Sequence, residues 1–501
     1  MQREDYRATL VVGLGFLTAT LTGFFRQIAI ARLLGASRLA DIYLVAFAVP
    51  EFFFIALPII LSPAFLPIFS KLRQEEGDAQ AWQFAKKVLK ILTLSLIALT
   101  ILAALLIPIL LTWISPGFTS LEREQALALF YPMLPGILFM GIATLIAVIL
   151  QVYRRFLHSV IITSIYNIVF IISLFILPFS QAMTQASWAV TFGAGAALLC
   201  VLPFWWRQTQ TNVVSNVQVS KSHVKDWLYF TIQLILGYSV HHMILFIDRA
   251  MATMLSPGSV AALSYADHLT LVIGQLSGLA VSTVIFPGLA EKVVSGDLKS
   301  AGRELADALT LVFEIALPAS AGLILLRTPI VQVLFEHGAF NTQATSLVSA
   351  PILWYSIAVL ADALCQPLWR VVYVKRSGWT VVAINGLQTT IRLACNFFLI
   401  PWLGYIGLAL SATIGLTVQV FALAWWTKST YGFRFNASNW IKIIQTTIAV
   451  LFALLATCLL YNVAKTNSPV FIVFVCSACG ALVYILVIYL SKNLRRIFYG
   501  G

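Results

Sequence analysis

Charge is what this sequence lacks. Only 10% of its 501 residues are Asp, Glu, Lys or Arg, against about a quarter in an ordinary soluble domain. A globule of this size needs polar cover, so soluble enzymes, nucleic-acid binders and disordered chains are excluded at once. Acidic residues are the scarcer sign: 19 Asp and Glu face 32 Lys and Arg, a net charge of +13. In a soluble protein that excess would suggest nucleic acid. In a chain this apolar it reads as the cationic bias of cytoplasmic loops.

Cysteine and long polar loops are also short supplies. Cys200, Cys365, Cys395, Cys458, Cys476 and Cys479 all lie in or beside apolar runs, so no disulfide framework is expected. The Cys476-x-x-Cys479 spacing sits inside FIVFVCSACGALVY, a membrane-core stretch in which no metal or redox chemistry is expected. The longest polar loop, 207–225, reaches no acidic residue before Asp226. A membrane enzyme needs a soluble loop or a clustered acid pair to hold its chemistry. The chain is therefore expected to be no enzyme and to carry no cofactor or metal. Its N-terminus, MQREDYR, runs straight into apolar sequence without a cleavage site, so the first span is read as uncleaved.

What is present is hydrophobic sequence, 60% of the chain. A membrane helix takes about 20 apolar residues. Apolar runs, read against proline, glycine and charge breaks, give fourteen candidate spans, from 9–33 to 469–491. The fold class is an all-α polytopic membrane protein. With both termini in the cytoplasm, the outside segments hold only Arg32, Arg38, Arg123, Arg327 and Lys465. Arg26, Arg249 and Arg392 fall within spans, and every other Lys and Arg is inside. That imbalance fixes the expected orientation.

The chain repeats itself at an interval of about 220 residues. Arg26, Ser37, Ala40 and Tyr43 are answered by Arg249, Ser259, Ala262 and Tyr265. Further on, Ala189, Gly195 and Trp205-Trp206 are answered by Ala409, Gly415 and Trp425-Trp426. The reading is an N-lobe at 1–206, a cytoplasmic linker at 207–225, a C-lobe at 226–428, and two appended spans in 429–501. Two six-span lobes share one membrane orientation. That is the architecture of a transporter working by alternating access, and a monomer is expected.

A charge at bilayer depth costs at least about 2.5–3.5 kcal/mol on insertion scales, so each one is a functional candidate. The candidates are Arg26, Asp41, Glu51, Asp248, Arg249, Asp267, His268, Glu314, Asp362 and Arg392. Plainer roles stand beside these. Arg26 can reach an interface along its own stem, Asp41 can cap a helix, and Glu314 and Asp362 can be satisfied between helices. Asp267-His268 lies deeper in its span than short side chains comfortably reach from an interface. The second span also holds Pro50, Pro58, Pro63 and Pro67, each of which removes a backbone hydrogen bond and bends the helix.

The stretch GFFRQIAIARLLGASRLADIYLVAFAVPEF resembles the first signature of the MurJ/MviN family of lipid II flippases. The stretch IDRAMATMLSPGSVAALSYADHLTLVIGQLSGLAVSTVIFPGLAE resembles the second, and the 6+6+2 layout agrees across essentially the whole chain. The resemblance implies a flippase moving a lipid-linked sugar from the cytoplasmic to the outer leaflet of the bacterial inner membrane. Its implied partners are that lipid-linked glycan, membrane lipids, and cell-wall or polysaccharide synthesis proteins. The last two spans would form a lipid-tail groove. By position, Arg26, Asp41 and Asp267 match family motif residues and would bind substrate, with His268 beside Asp267 as a further substrate-binding candidate.

The chain departs from the family pattern at three places. Gln27 stands where an acid is usual, Glu51-Phe52-Phe53-Phe54-Ile55-Ala56 where arginines and an E-G pair are usual, and His268 where an arginine is usual. These departures leave open an exopolysaccharide or O-antigen repeat unit as cargo, or a multidrug antiporter. Asp248 matches a sodium ligand of some members, whereas Arg392 and Asn396 occupy one face of span 11. The expectation is that Arg392 replaces the ion and pairs with Asp248. Coupling would then rest on protons, through His268, or on membrane potential.

Overall fold

Apolar runs become helices. A computed structural model describes residues 3–153, 155–177, 181–211, 221–274, 292, 297–374, 378–432 and 434–499. Among these residues there are fourteen helices and no strand. They are α1 (Arg3–Leu34), α2 (Arg38–Glu75), α3 (Asp78–Ile114), α4 (Ser120–Val152), α5 (Phe156–Ile176), α6 (Ala182–Thr211) and α7 (Lys221–Thr253). Then follow α8 (259–274), α9 (Leu298–Phe335), α10 (Thr342–Val374), α11 (Gly378–Leu403), α12 (Tyr405–Tyr431), α13 (Ala437–Ala464) and α14 (Pro469–Tyr499). Part of the expected linker, 212–220, lies outside the described residues, as do most of the eighth expected span beyond 274 and the pair Lys375 and Arg376.

Ten of the described helices are long and apolar enough to cross a membrane. Helix α11 falls short because Gln388, Arg392 and Asn396 break its apolar run. Several helices outrun their apolar stretch. Helix α9, expected at 303–326, spans Leu298–Phe335, because Asp297 caps it earlier by accepting from the Ser300 amide at 3.1 Å. Hydrogen bonding by Ser300 holds the Asp297 carboxyl below the usual aspartate range. Helix α4 starts in a reciprocal capping box, Thr119 accepting from the Glu122 amide while Glu122 accepts from the Thr119 amide. Such caps contribute about 1 kcal/mol each.

By contact the chain divides into two units, Met1–Ala261 and Ala262–Gly501. In the first, α4 packs on α2, α3 and α6, α5 packs on α1 and α6, and α7 packs on α2 and α3. In the second, α10 packs on α9 and α12, α11 on α12, and α13 and α14 on each other and on α9. Apolar side chains gain little by leaving lipid for protein, so membrane helices associate through close backbone approach and hydrogen bonds. Gly193 of α6 shows this: a Cβ there would stand 2.7 Å from the Tyr166 carbonyl of α5. Helix α2 keeps four prolines inside its length, Pro50, Pro58, Pro63 and Pro67.

The internal repeat is visible as repeated contacts. Thr191 of α6 donates to the Pro132 carbonyl of α4 at 2.5 Å, and Thr413 of α12 donates to the Trp354 carbonyl of α10 at 2.8 Å; each bond bridges 59 residues. Thr119 and Asn341 cap α4 and α10 alike. Gly193 presses on the Tyr166 carbonyl as Gly415 presses on that of Gln388. These contacts correct the register read from sequence. Gly415 answers Gly193, not Gly195, because it is Gly193 that lies against the neighbouring helix backbone.

Candidate functional site

In the first unit, one face of α2 gathers the charges. Leu44, Phe47, Glu51 and Phe54 recur at helical spacing. The Arg26 guanidinium of α1 lies over the ring of Phe47 at 5.7 Å and over Tyr166 and Phe170 of α5 at 5.3 and 5.6 Å. Phe54 meets Tyr166 edge to face. Arg26 is half-buried, and a cation on an aromatic face gains about 0.5–2 kcal/mol, so the three rings offset part of the cost of withdrawing it from water. Its Nε has no hydrogen-bond partner. Gln27, in the position of the family acid, is buried.

Further along the same face, Glu51 receives Arg249 of α7, Nη2 to Oε2 at 2.5 Å, while Nη1 of Arg249 reaches the Leu44 carbonyl at 3.4 Å. Both side chains keep some exposure, 20% for Arg249 and 15% for Glu51. The adjoining rings are Phe52, Tyr238 and Phe246, with His242 stacked on Tyr238. Sequence reasoning recognised both charges and did not pair them.

Asp41, expected to touch substrate, is fully enclosed. Its carboxylate accepts the amides of Gly258 at 2.7 Å and Ala261 at 2.8 Å. It therefore holds the turn that leads into α8. Arg38 binds nearby, donating through Nε to Glu122 at 2.7 Å and through Nη2 to the Gly117 carbonyl at 2.8 Å. Its Nη1 reaches the Thr253 carbonyl at 3.3 Å, and its guanidinium covers Phe118 at 4.6 Å. Asp248, beside Arg249 on α7, is buried at 8% exposure.

In the second unit, Asp267 and His268 sit side by side on α8 and meet different surroundings. Asp267 is exposed, and His268 is half-buried with Nδ1 2.9 Å from the Ser264 carbonyl. Asp267 lies near enough to Asp362 of α10 for the two carboxylates to repel, and Gln366 hydrogen-bonds Asp362. Arg392 of α11 is half-buried with its Cβ side against Gly415. Asn396, one turn on, is wholly buried and accepts from the Ser411 hydroxyl of α12. Among the described residues no cluster of three or more His, Cys, Asp and Glu could hold a metal ion.

An all-helical chain with an internal repeat and with charged side chains on α1, α2, α7, α8, α10 and α11 defines a multi-pass membrane transporter. The family model described as "Lipid II flippase MurJ" matches residues 30–478. The chain belongs to that family, whose members are transporters and not enzymes. It is 28% identical over 414 residues to the "probable lipid II flippase MurJ" of Rhizobium tropici, covering 81% of this chain and 77% of the relative. Among solved structures it resembles a lipid II flippase MurJ in an inward closed conformation, with a TM-score of 0.81 and 21% identity over 98% of this chain and all of that one. A multidrug transporter of the MATE family and MOP superfamily, solved inward-facing, shares the fold at a TM-score of 0.72 and 14% identity, covering 83% and 94% of the two chains.

Proposed function

We propose that this protein flips a polyprenyl-diphosphate-linked sugar of the lipid II type from the cytoplasmic to the outer leaflet of a bacterial inner membrane, by alternating access. Arg26 carries the reading. A guanidinium kept at membrane depth on aromatic rings, with Nε unpartnered, suits an anionic ligand better than an apolar drug. In this reading both termini are cytoplasmic, Arg26 and His268 contact the head group, and Asp41 is a positioning residue. Asp267 binds substrate from α8, and α13 and α14 receive the lipid tail. A second cargo, the lipid-linked repeat unit of another surface polysaccharide, is favoured by the stretch Glu51-Phe52-Phe53-Phe54-Ile55-Ala56, which stands where the family usually carries arginines and an E-G pair.

The test is rescue of a cell depleted of its own lipid II flippase. The wild-type chain should restore growth, and Arg26→Ala should abolish rescue. Arg26→Lys should keep a fraction, since lysine lacks the bidentate fork. If the wild type fails and His268→Arg rescues, the cargo is the second one. If neither rescues and reconstituted protein moves no polyprenyl-diphosphate sugar in vesicles, the flippase reading fails.

A further inference from the structure

The contact between Arg249 and Glu51 is incomplete as an ion pair. A guanidinium has two parallel donors matched to the two oxygens of one anion. Here only Nη2 meets the carboxylate at full strength, at 2.5 Å, and Nη1 makes a long 3.4 Å contact with the Leu44 carbonyl. The pair also retains 20% and 15% exposure, so it is not sealed inside the protein. As a structural device it is poorly chosen, because well-packed apolar residues stabilise such a position as well or better. Its place is informative. The α2 stripe that presents Leu44 and Glu51 to Arg249 also presents Phe47 to Arg26. Two guanidinium groups from α1 and α7 therefore flank one helix face.

We propose that Arg249 is a second anion-binding guanidinium, that Glu51 occupies its fork in the absence of ligand, and that Arg26 and Arg249 together select diphosphate-linked over monophosphate-linked lipid. The inference rests on the flippase reading and assigns its head-group chemistry. A single phosphate fills one fork. A diphosphate presents separated anionic groups to both, and its second phosphate displaces Glu51 by simple exchange of one anion for another. The carboxylate then acts as an internal competitor, weakening the hold enough for the ligand to leave. Conduction and transport through membrane sites depend on binding that is favourable yet reversible.

The experiment uses the full-length protein in nanodiscs and measures affinity for undecaprenyl diphosphate and undecaprenyl monophosphate. Wild type should prefer the diphosphate by on the order of tenfold, the discrimination of one charge-assisted fork. Glu51→Gln removes the competitor and should tighten diphosphate binding several-fold. The double variant Glu51→Gln/Arg249→Gln leaves no unpaired charge, so it keeps the test available if a single variant misfolds. In it the ratio of the two affinities should fall toward one. A double variant that melts like wild type and keeps the full diphosphate preference would make the pair purely structural and overturn the proposal. A wild type that binds neither lipid would overturn the flippase reading, and this inference with it.

Discussion

Asp41 and Gly258 are 217 residues apart in the chain, and the carboxylate of one accepts the backbone amide of the other at 2.7 Å. The second carboxylate oxygen takes the Ala261 amide. Both acceptors are thus committed in a site with no exposure. Asp41→Asn replaces one acceptor with a donor that must face a backbone N–H. It should cost about 1–3 kcal/mol, read as a lower thermal midpoint in detergent. An asparagine variant that melts with wild type would show that these bonds contribute little.

Glycines divide by what surrounds them. A Cβ on Gly117 would stand 2.1 Å from the Thr253 carbonyl, and one on Gly258, at φ +87, would stand 2.5 Å from the Ala36 carbonyl. Neither neighbour is a movable side-chain tip. Gly117→Ala and Gly258→Ala should each lose more than about 2 kcal/mol or fail to accumulate. Gly237 and Gly322 are helical and have nothing within 4 Å. Alanine there should be neutral or raise stability by up to about 1 kcal/mol. Equal behaviour of the two groups in a melting series would contradict the packing.

Arg38 and Glu122 offer a graded test. Glu122→Gln keeps an acceptor for the Thr119 amide and loses the charge, so about 1 kcal/mol should go. Arg38→Ala also strips the Gly117 and Thr253 carbonyls of their donor and should cost about 2–3 kcal/mol. A double-mutant cycle should give a coupling clearly above zero. Additive losses would mean that the two charges act independently.

Orientation is read from charge alone. Reporters fused after Arg155, Lys221 and Lys299 should report the cytoplasm, and those near Ser120 and Asn341 the outside. A reversed pattern sinks the assignment.

The expected coupling of Asp248 with Arg392 is tested by function. Neutralising either should impair transport, since an unpaired buried charge costs about 3–5 kcal/mol. Neutralising both should recover part of the loss, and transport should proceed without sodium. A double variant as impaired as the two single losses combined would refute the pairing.

The helical class and the repeat were legible because both are written locally. Apolar runs define spans, and a run such as that of α2 needs no partner to be recognised. The pairings were not legible, because they join residues far apart in the chain. Nothing in the sequence distinguishes Glu51 as the partner of Arg249 from Asp248 beside it. Asp41 looks from sequence like a substrate ligand or a cap of its own helix, and its carboxylate instead accepts amides at the start of α8, those of Gly258 and Ala261. The α6 and α12 alignment was out by two residues for a related reason. Small residues are common in membrane helices, and only contact with a neighbouring backbone shows which glycine is the counterpart.

Each proline in α2 lacks the proton that would close a backbone ring four residues back, so the carbonyls of Ala46, Phe54, Ile59 and Pro63 have no intrahelical donor. In hydrocarbon a vacant acceptor is costly, and it is tolerated where protein or water answers it. Helix α2 is therefore segmented, with short stiff pieces joined at softened points. These four positions are spread around the helix axis, with Ala46 buried and Ile59 and Pro63 exposed, so the softening gives α2 no single hinge direction.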